Sequence, residues 1–189
     1  MFFTSASTGY VVGLNGTILK TTNAGTTWSS QSGGGKDWFN SVFFADANTG
    51  CAVGDYGAIY KTTDAGASWV KQTSGTSQNL KSVFLANAST GYAVGWSGTI
   101  VKTTDGGANW VVQSSGSTGF LNGVFFTGVS TGYVVGESGT ILKTTDGGAN
   151  WSRQASCTEA YLLSVHFTDA QTGYAVGEPG VILKTRTGV

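Results

Sequence analysis

Proline is almost missing from this 189-residue chain, which has one, and charged residues make up only 11% of it. An average soluble protein carries roughly a quarter of its residues as Asp, Glu, Lys or Arg. Ten basic residues balance ten acidic ones, so nothing supports the clustered positive surface that nucleic-acid phosphates require. No apolar run approaches the roughly 18 residues of a membrane span. Two cysteines, Cys51 and Cys157, are too few for a disulfide framework. One histidine, His166, offers neither a metal cluster nor a catalytic triad. No cofactor or metal is expected. No segment keeps a helical period. Met1-Phe2-Phe3-Thr4 shows no basic region, long apolar stretch or cleavage site; a mature chain or an excised domain would begin the same way.

Glycine and aromatics are abundant instead, with 30 Gly, 10 Phe, 7 Tyr and 6 Trp. Many glycines without prolines suggest short strands joined by tight turns. The chain repeats itself. Val42-Phe43-Phe44, Val83-Phe84-Leu85, Val124-Phe125-Phe126 and Val165-His166-Phe167 recur every 41 residues, and Met1-Phe2-Phe3 sits one period upstream. Repeats 83–123 and 124–164 agree at about 24 of 41 positions. The chain divides into repeats 1–41, 42–82, 83–123, 124–164 and a partial 165–189, read as one domain over 1–189. Each repeat predicts four strands: the V-F-F run, a second of the type Tyr92-Ala93-Val94-Gly95, a third of the type Thr99-Ile100-Val101-Lys102-Thr103, and a fourth from Trp28, Trp69, Trp110 or Trp151. A polar Thr-Gly turn separates the first two, and a two-residue tip bounded by glycines separates the next two, which is a hairpin signal. Four antiparallel strands in about 40 residues is the size of a β-propeller blade. The expected fold class is all-β, a propeller of four-stranded blades, with five blades and an incomplete last one.

The third turn is the most specific feature. It reads T-T-N-A-G-T-T-W at 21–28, T-T-D-A-G-A-S-W at 62–69, and T-T-D-G-G-A-N-W at 103–110 and 144–151. This resembles the Asp box, and with G-x-I-x-K-T-T the chain resembles the propeller family of photosystem II stability and assembly factors, and more broadly the BNR repeats. A short carboxylate or amide can accept N–H bonds within its own turn, and a tryptophan can pin the turn to its sheet. Asn23, Asp64, Asp105 and Asp146, with Trp28, Trp69, Trp110 and Trp151, are therefore expected to be structural. Sialidases also carry Asp boxes, but they require three arginines, and this chain has only Arg153 and Arg186. The assembly-factor family is associated with an arginine-rich patch, which two arginines do not make. The fifth box decays to Thr185-Arg186-Thr187-Gly188-Val189 and has no tryptophan.

A stack of blades must cover both end faces. The economical solution is a closed, monomeric ring of five blades; the alternative is part of a larger propeller. In a four-stranded blade the turns after strands one and three lie at one end. The tip after strand two and the interblade connection lie at the other. The first end is nearly constant between repeats. The second holds the variation and is the expected binding face: Trp38, Asp55, Tyr56, Trp96, Phe120, Glu137, Tyr161 and Glu178. Aromatic rings beside carboxylates suit sugars, or a peptide with apolar and cationic side chains. The bland alternative is that the loop aromatics plug the seams between blades. Lys20, Lys61, Lys102, Lys143 and Lys184 hold one strand position per blade and read as solvated edge residues. His166 reads as channel-side packing. Cys51 and Cys157 fall in repeats that are not neighbours, so no internal disulfide is expected. Asn15, Asn87 and Asn150 head glycosylation sequons. The leading functional reading is a non-enzymatic binding or scaffolding propeller, extracytoplasmic or secreted, alone or as a module of a larger protein, that recognises protein, peptide or carbohydrate. The alternative is a glycoside-active enzyme with Glu137 and Glu178 as its carboxylate pair.

Overall fold

Nineteen short strands and the turns between them account for the fold of residues 1–185, the part of the chain that the computed structural model describes. Blade one holds β1 (Phe2–Phe3), β2 (Gly9–Val12), β3 (Ile18–Thr21) and β4 (Ser29–Ser30). Blade two holds β5 (Phe39–Phe44), β6 (Gly50–Gly54), β7 (Ile59–Thr62) and β8 (Val70–Gln72). Blade three holds β9 (Leu80–Leu85), β10 (Gly91–Gly95), β11 (Ile100–Thr103) and β12 (Val111–Gln113). Blade four holds β13 (Leu121–Phe126), β14 (Gly132–Gly136), β15 (Ile141–Thr144) and β16 (Ser152–Arg153). Blade five holds β17 (Tyr161–Phe167), β18 (Gly173–Glu178) and β19 (Val181–Lys184). Each is a separate antiparallel sheet with its strands in chain order. The decayed turn at 186–189 lies outside the described residues.

The first strands start earlier than the V-F-F runs. Phe39, Leu80 and Leu121 already pair with Gly54, Gly95 and Gly136, and a bulge follows. The strand-two glycine is required there: a Cβ on Gly95 would overlap the Asn79 carbonyl, and one on Gly54 the Trp38 carbonyl. Phe39 is 4% exposed and meets the Tyr60 ring edge-on at 5.2 Å. It plugs the seam. The fourth strands start one residue after each tryptophan, because the indole turns inward to close the turn rather than pairing.

Every blade has a forward and a backward face. On the forward face stand Tyr10, Val12 and Ile18 and their equivalents; on the backward face stand Phe44, Ala52, Tyr60 and Trp69 and theirs. Apolar clusters join blades one to two, two to three, three to four and four to five. None of them joins five to one. Val53, Val94 and Val135 are 0% exposed, but Val176 in the same position is 41% exposed. Ile59 and Ile100 are 0% exposed, but Ile182 is 74%. Phe3, whose equivalent Phe44 is buried, is 39% exposed. Among the described residues the expected closed ring is thus not formed: four seams join the five blades, and no apolar cluster joins blade five to blade one.

Stacked aromatics hold the seams. Tyr10 lies on Phe44 at 4.0 Å, Tyr92 on Phe126 at 3.8 Å and Tyr133 on Phe167 at 4.2 Å. The seam between blades two and three has Cys51 and Leu85 in place of this pair, and both are buried. Burial pushes the Cys51 thiol up to about 12. Cys51 and Cys157 are both free. Along the inner strands Phe2, Phe43, Phe84 and Phe125 form a ladder at 4.6, 4.7 and 5.1 Å, and His166 ends it edge-on to Phe125 at 5.0 Å.

The third turns are held by hydrogen bonds from their own side chains. Asp105 Oδ1 accepts the Thr103 hydroxyl at 2.8 Å and the Asn109 amide at 2.9 Å, and Oδ2 accepts Asn109 Nδ2 at 2.7 Å. Thr103 Oγ1 in turn accepts the Gly107 N–H at 2.8 Å. Asp64 and Asp146 do the same with Ser68 and Asn150. Asn23 substitutes by accepting on Oδ1 and donating Nδ2 to Thr27 at 2.8 Å. Gly66 sits at φ +80°, and a Cβ there would meet the Tyr10 ring at 2.8 Å. The tryptophans close the turn edge-on against the strand-one phenylalanine, as Trp69 on Phe44 at 5.9 Å.

The strand-three lysines are not merely solvated. Lys20 Nζ donates to the Ala65 carbonyl at 2.7 Å, and Tyr10 Oη donates to the same oxygen at 2.8 Å. Lys102 and Tyr92 hold the Gly147 carbonyl identically, at 2.7 and 2.8 Å. One blade's tyrosine and lysine thus clamp the third turn of the next. Burial first, and then the Asp146 charge, push the Tyr92 phenol up to about 12, so it remains a donor. Cys51 has no hydroxyl to play this part between blades two and three.

Two outcomes check this architecture. Ile100→Ala should cost about 2 to 5 kcal/mol in denaturant unfolding, the usual range for a buried aliphatic truncation. Ile182→Ala should stay within about 0.5 kcal/mol, as surface changes do; equal losses at the two sites would mean that blade five is covered. The second concerns acid. Hydrogen bonds from the Ser68 hydroxyl first, then the Ser68 amide and the Thr62 hydroxyl, hold the Asp64 carboxyl at about 2 instead of 3.8. Asp105 and Asp146 are held at about 2 by Asn109 and Asn150. A depressed carboxylate stabilises the fold above its unfolded value and ceases to do so as pH falls through about 2. Melting temperature should therefore drop between about pH 4 and 2. Asp64→Asn, with Ser68 turning its hydroxyl to accept as Thr27 does for Asn23, should stay folded at pH 7 and drop less in acid; an unchanged acid profile counts against it.

Candidate functional site

The strand-two tips and the interblade loops meet at one end of the blades, as the hairpin count required. Asp55 N–H donates to the Trp38 carbonyl, Trp96 N–H to Asn79 and Glu137 N–H to Phe120, each at 2.9 Å. Each tip is thereby tied to the loop that precedes its own blade's first strand. Ties also run to the following loop, as from Gly98 N–H to the Gly119 carbonyl at 2.6 Å and from Gly139 N–H to Ala160 at 2.8 Å.

The tips need a left-handed residue. Asn15, Ser97 and Ser138 supply it at φ +54°, +54° and +51°. Asn commonly visits that region, and polar residues tolerate it better than bulky ones do. Blade two places Tyr56 there, at φ +55° and ψ +33°, with its side chain 83% exposed. Its N–H donates to Asn79 Oδ1 at 2.8 Å. Nothing about the turn calls for a phenol, and the ring packs into no core. Beside it Trp38 is 51% exposed. Lys36, Asp37, Trp38, Asp55 and Tyr56 line a cleft of about 240 Å³.

The remaining predicted residues are more occupied. Trp96 is 38% exposed but stacks on Phe120 at 5.1 Å and 26°, and the Lys81 ammonium lies 5.3 Å over its ring. A tip aromatic, and not only a loop aromatic, thus covers part of a seam. Asp55 accepts Asn40 Nδ2 at 2.8 Å and lies 3.7 Å from Lys81 Nζ. Glu137 folds over Gly119, where a Cβ would strike its carboxylate. Tyr161 is 36% exposed; burial first and the Glu137 charge second raise its phenol. Glu178 is exposed at the end of β18, paired with Tyr161. The structure therefore brings together Trp38, Asp55 and Tyr56, sets Trp96 on Phe120 beside them, and leaves Glu137, Tyr161 and Glu178 on blades four and five.

Sequence reasoning missed the groups that tie this face together. Asp37 accepts the Tyr60 hydroxyl at 2.8 Å and Lys71 Nζ at 2.7 Å. Burial alone would raise its carboxyl, but these two donors bring it below the usual value. Asn40 and Asn122 donate to the carbonyls of Leu80 and Leu162 in the next blade, at 2.9 and 2.8 Å. Their spacing of two periods was the available signal. Among the described residues no three His, Cys, Asp or Glu side chains are placed to hold a metal ion, and no helix is long and apolar enough to cross a membrane.

Comparison with known proteins agrees with this geometry. No curated protein sequence matches the chain. Among solved structures, YCF48 bound to a D1 peptide is 18% identical, with a TM-score of 0.53 over 98% of this chain and 91% of that one. YCF48 from Cyanidioschyzon merolae is 17% identical, with a TM-score of 0.57 over 98% and 94%. A GH74 enzyme of Niastella koreensis is 18% identical, with a TM-score of 0.75 over 97% of this chain but only 34% of its own length. At these identities the likeness is one of fold. The family model for the photosynthesis system II assembly factor YCF48 matches residues 1–72 and 116–189, well over half of the sequence, and the chain belongs to that family.

Proposed function

We propose that this chain is a non-enzymatic propeller module that binds an extended peptide or protein segment across Trp38 and Tyr56. The observation that carries this is Tyr56 itself: a bulky ring in a left-handed turn position, exposed and unpacked, where three sister tips use Asn or Ser. Backbone strain of about 1 kcal/mol or more tends to persist at binding sites. A relative of the same family has been solved with a D1 peptide bound, which supports a peptide over a sugar. So does the state of the carboxylates. Asp37 and Asp55 are already engaged by Tyr60, Lys71, Asn40 and Lys81, which leaves aromatic surface as the main unspent resource of the cleft.

An enzyme reading has less support. Glu137 folds over the Gly119 backbone while Glu178 is exposed at a strand end, and neither is set in an apolar pocket of the kind that raises a glycosidase acid. The GH74 likeness extends to the fold alone.

The test is a peptide array, with the D1 peptide included, followed by titration of hits. Tyr56→Gly removes the ring and relieves the turn, so stability should hold or rise by about 1 kcal/mol. Affinity for a hit should fall tenfold or more, the usual cost of losing an aromatic anchor. Trp38→Ala should weaken binding comparably. Hits that survive both changes would place the site elsewhere.

A further inference from the structure

A second cavity, larger than the tip cleft, lies away from the tip face. It is a groove of about 480 Å³ at the outer edge of the seam between blades four and five, lined by Tyr133, Gln154, Ser156, Phe167, Leu183 and Thr185 among others. Its position has an internal template. In blades one to four a fourth strand pairs with the third, as Lys102 with Val111, Val101 with Val112 and Ile100 with Gln113. A tryptophan just ahead of that strand closes the seam. Trp69 and Trp110 are 4% and 5% exposed. Trp69 and Trp151 each meet a strand-one phenylalanine edge-on, at 5.9 and 6.0 Å. Gly33 lies under the Trp69 backbone, and Ser156 is its equivalent three periods on. Phe167 is the equivalent phenylalanine, and it is stacked on Tyr133 with no indole against its edge. Blade five is a three-stranded sheet whose outermost described strand is β19. The tryptophans fall at 28, 69, 110 and 151, one in each four-stranded blade.

We propose that this groove is the seat of an added fourth strand. The occupant is an extended segment from outside residues 1–189 with the chemistry of the other outer strands: a tryptophan followed by two exposed side chains and a glutamine, as in Trp110-Val111-Val112-Gln113. It pairs antiparallel with β19 through backbone hydrogen bonds, and its indole enters the groove against Phe167 and Leu183. Main-chain pairing gives such a strand addition its affinity and the side-chain pocket gives it specificity. The template argues for this occupant over a generic apolar ligand, because three sister seams on the same chain hold this one chemistry in one register. The site is separate from the tip cleft and does not rest on the peptide reading given there.

The probe is a labelled nine-residue peptide with the sequence of residues 107–115, titrated into the 189-residue protein. Saturable one-to-one binding is expected, with slowed hydrogen exchange of the amides at 181–184. Replacing the peptide's tryptophan by alanine should weaken binding tenfold or more, and a scrambled peptide should not bind. On the protein, Leu183→Glu should weaken the peptide tenfold or more while leaving a tip-face ligand unaffected. Ala155→Trp, which fills the groove from the loop side, serves if Leu183→Glu does not fold. Equal binding of the alanine and tryptophan peptides, or no saturation at millimolar peptide, would overturn the proposal. So would a protein that is dimeric in light scattering with 181–184 already protected, since a second copy would then be the occupant.

Discussion

A blade has two apolar faces and cannot be buried by itself, and the whole molecule follows from how one blade's forward face is fastened to the next blade's backward face. The fastening is a compound one. A tyrosine lies flat on the next blade's phenylalanine, and its hydroxyl reaches the carbonyl of that blade's third turn together with a lysine. The carbonyl is available because the Thr-x-Asp turn directs its own amides inward to Thr103 and Asp105, or their equivalents, and leaves that oxygen pointing at the neighbour. The turn motif, read singly, serves its own hairpin. Its larger effect is to present an acceptor across the seam.

Much of this was legible in the sequence because it repeats. The 41-residue period, the four-strand blades, the tips and the turn hydrogen bonds of Asp64, Asp105 and Asp146 all rest on local patterns that recur in register. Relations between blades were legible only in part. The lysine column was visible, but whether Nζ meets water or a carbonyl depends on the angle between sheets, which no local pattern encodes. Closure failed for the same reason: apolar end faces say that something should cover them, not that five blades turn through a full circle. The stack of Trp96 on Phe120 was not legible, because Phe120 lies in a loop 24 residues downstream and a stack across a seam leaves no periodic mark. The Cys51 and Leu85 changes each look like drift in one repeat; only the seam shows that they face each other.

The two ends of the blades divide the labour. The turn end is spent on assembly, which is why it is nearly constant from repeat to repeat. The tip end is tied together by backbone bonds from tip to loop, and these constrain only main-chain atoms. Side chains there can vary without loosening the fold, and Tyr56 is the extreme case.

The seam between blades two and three is built differently from the others. It has neither the flat aromatic pair nor a tyrosine hydroxyl on the neighbouring turn, having a thiol and an isobutyl group instead. Its upper rim is where Asp55 and Lys81 face each other across the joint, with Lys81 also over Trp96. Other contacts hold this joint: Phe43 lies against Phe84 at 4.7 Å, and Asn40 donates to the Leu80 carbonyl at 2.9 Å. The joint runs beneath the exposed aromatics, so the spacing between Tyr56 and Trp96 is set by a combination of contacts that the other seams do not share.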